Sequence, residues 1–186
     1  MADQGSEGIF SPYLRSKRFE AAVPHLKGRV LDVGCGSGGL AEMIPSSQYW
    51  GVDSDKESID LAHKKFPDHI FKYELPTIDE KFDTIVALAI IEHLSNPAGF
   101  LSDLACRLKS KDSRIICTTP HPSMEWIHLV GARLGLFSQH ANEEHEELLD
   151  FKRLSDLGVS SNLRIQLYKK FLFGANQLII FSQAHS

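Results

Sequence analysis

The sequence predicts an α/β domain built on an open, mostly parallel sheet, and three observations support this fold class. Apolar runs of strand type alternate with helical patterns along most of the chain. A glycine-rich loop, residues 34–39, follows the first apolar run, as in the strand and turn of a βαβ unit. Residues 82–91 are the most apolar stretch, which is typical of a central strand buried on both faces.

The composition excludes several classes of protein. The chain has 186 residues, which fits one domain, and its formal net charge of -4 argues against a nucleic-acid partner. Its longest wholly apolar run, residues 85–91, is far shorter than the roughly 20 residues that span a bilayer. Residues 1–8 lack the apolar core of a signal peptide, so we expect a cytoplasmic protein. Cys35, Cys106 and Cys117 are widely spaced, which predicts reduced thiols.

The N-terminal residues 9–27 carry apolar and aromatic side chains at roughly helical spacing, and Pro24 predicts where this helix ends. The segment either covers a ligand or packs Tyr13, Arg15 and Phe19 against the edge of the sheet. We favour packing, because aromatic residues at helical spacing usually belong to the core.

The stretch at residues 30–39 combines a short apolar strand, Asp32 and a run of glycines, and a short helix is predicted after it. Glycine has no Cβ atom, so the backbone at Gly34 and Gly36 can turn sharply and a ligand can lie against main-chain amides. A nucleotide-like ligand is therefore expected. Gly34, Gly36 and Gly39 also match the G-x-G-x-x-G pattern of dinucleotide-binding loops, so the loop alone does not identify the ligand.

A second predicted strand, residues 49–52, ends directly before Asp53. Ser54 and Glu57 have capping-box spacing, which predicts a helix that runs up to Pro67. Asp53 lies about twenty residues beyond the glycines, where a βαβ unit holds a carboxylate against ribose hydroxyls. The alternative is that Asp53 only interacts favourably with the positive end of the helix dipole. Ribose binding is the preferred interpretation.

A weak third strand, residues 70–73, precedes the central strand, and Glu92 and His93 follow the central strand directly. Polar residues just beyond the carboxyl end of a central strand lie at the crevice where open α/β sheets bind ligands. A helix that starts near Asn96 and a fifth strand at residues 114–118 are predicted next.

The regular alternation lapses over residues 123–147, where we expect a substrate lid. Its apolar side chains favour a hydrophobic or aromatic acceptor, or else a dimer contact: Trp126, Leu129, Leu136 and Phe137. A helix that ends at Gly158 follows. Alternating apolar residues at 163–168 and the apolar run at 178–181 predict a closing antiparallel hairpin.

Asp32 to Gly38 (DVGCGSG), Asp53 and the run FDTIVALAIIEHL together resemble the class I S-adenosylmethionine-dependent methyltransferases, above all small stand-alone enzymes of the small-molecule and quinone-biosynthesis type. The similarity is best over residues 28–120. It implies a Rossmann-like, doubly wound sheet of seven strands, mostly parallel, with one antiparallel strand near the edge. It also implies S-adenosylmethionine as the cofactor and a small-molecule methyl acceptor, with oxygen favoured as the methylated atom.

The resemblance implies a role for each cofactor-binding segment. Asp32 and the backbone of the glycine loop would hold the methionine part, Asp53 the ribose, and the backbone near Leu88 the amino group. This suits the ligand, because its hydroxyls and ammonium need oxygen acceptors and its sulfonium needs a site without competing cations. The expected cofactor-binding residues are Asp32, Gly34, Cys35, Gly36, Asp53, Ser54, Leu75 and Leu88. Adenine contacts are less defined, since only Glu74 is acidic after the third strand.

A single methyltransferase domain with four parts is expected. These are an N-terminal helical segment at residues 1–27, a cofactor-binding core at 28–120, a substrate lid at 121–147, and a C-terminal helix and β-hairpin at 148–186. The oligomeric state is left open.

His93 is the candidate general base, since an imidazole titrates near neutral pH and this one follows the central strand. An equal alternative is that His93 only forms a hydrogen bond within the loop after that strand. Glu92 is expected to be structural. The other candidate histidines are weaker because nothing in their spacing links them to the cofactor: His121, His128, His140 and His145. No metal site is expected, because Ala89 stands where some quinone methylases have an acidic ligand.

Two other functions stay open. The G-x-G-x-x-G match allows a nicotinamide-dependent oxidoreductase, which Asp32 disfavours because dinucleotide folds usually keep that strand end apolar. The third possibility is a catalytically inactive methylase fold that binds the cofactor or a partner, since a fold does not prove an activity.

Overall fold

The structure is a computed structural model that describes residues 11–122 and 149–184. These residues form a seven-stranded sheet in the order β3-β2-β1-β4-β5-β7-β6. The strands are β1 (Val30–Val33), β2 (Tyr49–Val52), β3 (Ile70–Lys72), β4 (Thr84–Leu88), β5 (Arg114–Pro120), β6 (Leu163–Phe171) and β7 (Asn176–Gln183). The helices are α1 (Ser11–Ala22), α2 (Lys56–Lys65), α3 (Pro97–Ala105) and α4 (Phe151–Ser160).

The strand directions confirm the predicted fold class. β7 runs antiparallel to both of its neighbours, β5 and β6, whereas the other neighbouring strands pair in parallel. The turn Leu172–Gly174 joins β6 to β7 as a hairpin, and all three of its residues have positive φ angles of 52°, 54° and 90°. Such a short connection forces neighbouring strands to run in opposite directions, which explains the single antiparallel strand.

Helices cover both faces of the sheet. On one face, α1 and α2 pack against the inward side chains of the central strands, with Ala22, Ile59 and Ala62 as their fully buried contacts. On the other face, α3 and α4 bury Leu101, Leu104 and Leu154. This two-sided burial explains why β1 and β4 are apolar along almost their whole length.

The short helix predicted after the glycine loop is wrong, because Ala41–Met43 form a 3₁₀ turn instead. A helix nucleus must fix the backbone of several consecutive residues in helical geometry. Gly38, with a φ of 81°, and the nearby Pro45 leave too few residues between them for such a nucleus. The predicted cap of α2 is also displaced by one residue. Asp55, not Ser54, is the N-cap, and its carboxylate accepts from the Ser58 N–H at 3.1 Å.

The central strand is shorter than predicted and ends at Leu88. Ala89 adopts a left-handed backbone with a φ of 56°, which breaks the extended conformation, and Ile91–His93 form a 3₁₀ turn. The Ala89 N–H still donates to the Thr118 carbonyl at 2.9 Å, so this turn stays attached to β5.

The first and last described elements are of the predicted types. α1 gives way to the 3₁₀ turn Val23–His25, which contains Pro24, and α4 is followed by the predicted hairpin. The predicted end of α4 at Gly158 is wrong, because the helix continues to Ser160 and Gly158 is buried within it. The predicted lid lies almost wholly outside the described residues, and so do Trp126, Leu129, Leu136 and Phe137. Within the described part of the chain, no helix is long and apolar enough to cross a membrane.

Truncating Phe181 should test the packing of the hairpin onto the core. Its ring is fully buried in β7 among the residues under α3 and α4, so Phe181→Ala should lower the free energy of unfolding by about 3–5 kcal/mol. Phe173→Ala is the matched control, because that ring is fully exposed at the hairpin turn and should change stability by about 0.5 kcal/mol or less. Urea unfolding measures both, and equal effects would contradict the described packing.

Candidate active site

The glycine loop is bonded to the carboxyl end of β2. The N–H groups of Gly34 and Cys35 donate to the Val52 carbonyl at 2.8 and 3.1 Å, and the Gly36 N–H donates to Asp53 Oδ2 at 2.8 Å. β1 and β2 are parallel neighbours, with Val33 opposite Val52. The loop and Asp53 therefore meet at the same edge of the sheet, as the sequence predicts.

Glycine is required at the first turn of this loop for two reasons. Gly34 has a φ of 72°, and a Cβ atom built there would lie 2.1 Å from Cδ1 of Ile90. Gly36 also has a positive φ, 52°, but a Cβ there would meet no atom within 4 Å. Because Gly34 has no side chain, the backbone of the loop can pack against Ile90 in the turn that follows β4.

A cavity of about 410 Å³ lies at this edge, between the ends of β1, β2, β3 and β4. Its volume is within the range of small-molecule pockets, roughly 300–1,000 Å³. Five of the residues predicted from the sequence line it: Gly34, Asp53, Ser54, Leu75 and Leu88. The structure adds Tyr73, Ala89 and Ile90, and the strand-end residues Val33 and Val52 complete the wall.

Asp53 is positioned to shape the loop and still receive a ligand. Oδ2 accepts from the Gly36 N–H and Oδ1 accepts from the Asp55 N–H at 2.9 Å. An ionised carboxylate offers about four lone-pair sites, so each oxygen retains an acceptor site after these two bonds. The carboxylate can therefore accept from two hydroxyl groups of a ligand in the cavity.

Asp32, Cys35 and Gly36 do not line the cavity. Asp32 lies buried beneath the loop, and its Oδ2 accepts a hydrogen bond from the Tyr49 hydroxyl at 2.7 Å. Burial raises the pKa of the Asp32 carboxyl to about 7, the Tyr49 hydroxyl opposes that rise, and the nearby Asp53 charge adds to it. Asp32 is thus a buried acid beneath the loop and not a residue of the cavity wall. Its contact with the methionine part of a cofactor stays a prediction.

The polar residues after β4 occupy different environments. His93 is exposed and does not line the cavity, whereas Glu92 is buried. Burial raises the pKa of the Glu92 carboxyl, while its own backbone N–H and the charges of His93 and Arg18 lower it. His121 lies at the end of β5, and His128, His140 and His145 fall outside the described residues.

Sequence reasoning missed Tyr73 and Arg18. Tyr73 directly follows β3, and this position at the end of a strand could have indicated that it lines the cavity. The Tyr73 hydroxyl donates to Asp60 at 3.2 Å. Arg18 belongs to α1 and reaches the surroundings of Glu92 only through the tertiary fold. No local pattern indicates that approach.

The family of the chain follows from its match to known sequences. The sequence pattern of a family described as a methyltransferase domain matches residues 7–159. The chain belongs to the class I S-adenosylmethionine-dependent methyltransferases. This membership shows S-adenosylmethionine as the cofactor and confirms the resemblance drawn from the loop, Asp53 and the central strand. It does not support the alternative of a nicotinamide-dependent oxidoreductase.

Individual relatives agree with this family. The ubiquinone biosynthesis O-methyltransferase of Bradyrhizobium diazoefficiens is 31% identical over 99 residues, 48% of this methyltransferase and 39% of that protein. The protein of the same name from Actinobacillus pleuropneumoniae is 26% identical over 163 residues, 78% of this chain and 69% of that one. The match thus spans well under half the length of the first relative.

A solved structure shows the same fold. The S-adenosylmethionine-dependent methyltransferase from Clostridium acetobutylicum superposes with a TM-score of 0.71 at 14% identity. The superposition covers 95% of this chain and 97% of that one. At this level of identity the likeness establishes the shared architecture of the methyltransferase domain.

The buried acid gives a prediction for the pH dependence of stability. The pKa of Asp32 is about 7 in the folded protein, against 3.8 for an ordinary aspartate, so between these values the native state holds a proton that the unfolded chain releases. The free energy of unfolding should therefore fall as the pH rises from 5 to 8. The contribution from Asp32 is on the order of 3 kcal/mol, at 1.36 kcal/mol for each pKa unit.

Asp32→Asn removes this titration and retains an oxygen that can accept from the Tyr49 hydroxyl. Urea unfolding of both proteins at pH 5, 6, 7 and 8 isolates the effect. The wild type should lose its stability advantage over the variant as the pH rises. A difference that stays constant across this range would contradict the buried, protonated Asp32.

Proposed function

We propose that this methyltransferase binds S-adenosylmethionine in the cavity at the ends of β1, β2 and β4 and transfers the methyl group to an oxygen of a small-molecule acceptor. The observation that carries the proposal is the meeting of the Asp53 carboxylate and the glycine loop in one cavity. An oxygen acceptor is supported by the relatives named ubiquinone biosynthesis O-methyltransferases.

The chemistry of the cavity fits this cofactor. Leu75, Leu88 and Ile90 give an apolar wall suited to an adenine ring, and Asp53 offers acceptor sites for ribose hydroxyls. No Lys or Arg is found among the described residues that line the cavity, so a sulfonium cation meets no like charge there. Bound here, the cofactor supplies an activated methyl group on sulfur.

Each predicted residue has a proposed part in holding it. The backbone of Gly34 and Gly36 shapes the wall near the methionine part, with Asp32 supplying negative charge from below when ionised. Asp53 and the exposed Ser54 face the ribose. The proposed partner of the amino group is the backbone carbonyl of Leu88, which lines the cavity at the end of β4. The Cys35 N–H holds the loop to the Val52 carbonyl.

The chain's contribution to methyl transfer is mainly alignment. A single in-line displacement with a good sulfide leaving group gains most of its acceleration from holding the two reactants in position. A proton acceptor for the acceptor hydroxyl adds to this. His93 and Glu92, on one turn after β4, are the candidate proton acceptors.

Calorimetric titration with S-adenosylhomocysteine, S-adenosylmethionine and NADH tests the proposal. The wild type should bind the first two and not NADH. Asp53→Asn should weaken S-adenosylhomocysteine binding about 10–100-fold, because a hydrogen bond to a charged group contributes about 1.5–3 kcal/mol. Asp68→Asn is the control, since Asp68 is an exposed residue of the turn between α2 and β3 and does not line the cavity.

The outcomes separate the open functions. Binding of NADH alone, or an unchanged affinity in Asp53→Asn, would contradict the proposal. Binding of S-adenosylmethionine with no methyl transfer to any hydroxylated acceptor would favour the catalytically inactive alternative.

A further inference from the structure

Glu92 is a buried carboxyl with an unpartnered oxygen. The residue is only 4% exposed, and its Oε2 is shielded from solvent and has no hydrogen-bond partner in residues 11–122 and 149–184. Asp32, the other buried carboxyl at this edge, differs because its Oδ2 accepts from the Tyr49 hydroxyl. Buried polar atoms are nearly always hydrogen-bonded, so this carboxyl oxygen has an acceptor site that the described residues leave available to a ligand.

Two residues approach Glu92 from other elements. The charge of Arg18, in α1, lowers the pKa of the Glu92 carboxyl, and the hydroxyl of Thr119, in β5, lowers it as a hydrogen-bonding neighbour. Nε of Arg18 is buried and has no hydrogen-bond partner among the described residues. Three elements therefore bring an unpartnered acceptor, an unpartnered donor and a hydroxyl to one place, which is the pattern of a polar ligand subsite.

The backbone places this group beside the proposed cofactor cavity. Ala89 lines the cavity three residues before Glu92, and its left-handed φ of 56° ends β4 and starts the turn that carries Glu92. A non-glycine residue in this region is strained, and such strain is concentrated at functional sites. The Ala89 N–H bonds this turn to β5, and Thr119 and Cys117 of β5 lie near Glu92.

The N-terminal helix spans both parts of the site. Phe19 of α1 packs so closely on the glycine loop that a Cβ at Gly39 would lie 2.9 Å from its ring, while Arg18 lies near Glu92. The helix thus packs against the sheet through Phe19, as favoured from the sequence, whereas Tyr13 is 53% exposed and the prediction that it packs there is wrong. The same helix brings the cation of Arg18 near Glu92.

The charges around Glu92 suit a proton acceptor. Burial raises the pKa of its carboxyl, which makes the carboxylate a stronger base, while His93 and Arg18 lower the pKa and favour the ionised form. Cys117 faces Glu92 from β5 as a neutral thiol, because burial raises its pKa. The titratable neighbours of Glu92 are therefore His93 on the same turn, Arg18 on α1 and the neutral Cys117 on β5.

We propose that Glu92 is the catalytic residue that receives the hydroxyl of the methyl acceptor, an inference that rests on the proposed function. The Glu92 carboxylate accepts the hydrogen bond of the acceptor O–H and takes its proton. The acceptor oxygen forms a bond to the methyl carbon as the carbon–sulfur bond breaks. The electron pair of that bond stays on sulfur, so the products are the methyl ether, neutral S-adenosylhomocysteine and a protonated Glu92. Arg18 is a positioning residue whose charge favours the ionised form of the carboxyl.

Methyl transfer from S-adenosylmethionine to catechol, followed as 2-methoxyphenol between pH 5.5 and 9, tests this role. Glu92→Gln keeps the shape of the side chain and should lower kcat about 10²–10⁴-fold and remove the acidic limb of the pH profile. Arg18→Met should move that limb to higher pH, because the cation that lowers the pKa of Glu92 is gone. A merely structural Arg18 would not shift the profile.

Glu80→Gln is the matched control, because Glu80 pairs with Arg29 on the surface, at 2.7 Å, and precedes the amino end of β4. S-adenosylhomocysteine binding, measured by calorimetry on each protein, reports folding and cofactor affinity separately from catalysis. Glu92→Gln should bind it within about twofold of the wild type, since its role is assigned to the acceptor.

Three results would overturn the role of Glu92. The first is a Glu92→Gln rate within threefold of the wild type with an unchanged pH profile. The second is loss of the acidic limb in His93→Gln but not in Glu92→Gln. The third is a wild type that binds S-adenosylhomocysteine but leaves catechol unmethylated. A wild type that fails to bind S-adenosylhomocysteine would instead contradict the proposed function.

Discussion

The attachment of the glycine loop to the end of β2 is the constraint on which the site depends. Two backbone bonds to the Val52 carbonyl and one to the Asp53 carboxylate fix the loop in place. They form because β1 lies between β2 and β4 in parallel register, which brings all three carboxyl ends to one edge. The cavity, the position of the Asp53 carboxylate in it and the turn carrying Glu92 all follow from that register.

The same constraint explains where the backbone departs from ordinary geometry. Gly34 needs a left-handed φ and no Cβ because Ile90, at the end of β4, occupies the space beside it. Ala89 on that neighbouring strand also has a left-handed φ. Two facing turns of this kind leave room between the strand ends for a ligand, and each is retained because the parallel sheet holds both strands in place.

The sequence predicts those parts of the site that depend on local residue type and spacing. Asp53 and Gly34 were assigned correctly to one edge, since a carboxylate after β2 and glycines after β1 have fixed positions in a βαβ unit. The parallel sheet and its antiparallel hairpin were predicted for similar reasons. The short helix after the loop was not, because close glycine and proline residues left no room for a helix nucleus.

The contacts that the sequence does not predict are formed between residues far apart in the chain. Tyr49 bonds to Asp32 across neighbouring strands, and this makes Asp32 a buried acid beneath the loop. Arg18 approaches Glu92 only because α1 packs over the sheet, so a residue expected to be structural acquires a charged neighbour. Periodicity and motif spacing carry no information about such approaches.

A crystal structure of the complex with S-adenosylhomocysteine would show directly whether Asp53 and the glycine loop bind the cofactor. The ligand should occupy the cavity between the ends of β1, β2, β3 and β4, with the ribose hydroxyls donating to the Asp53 carboxylate and the adenine against Leu75. A ligand bound away from Asp53 and the glycine loop would contradict this prediction.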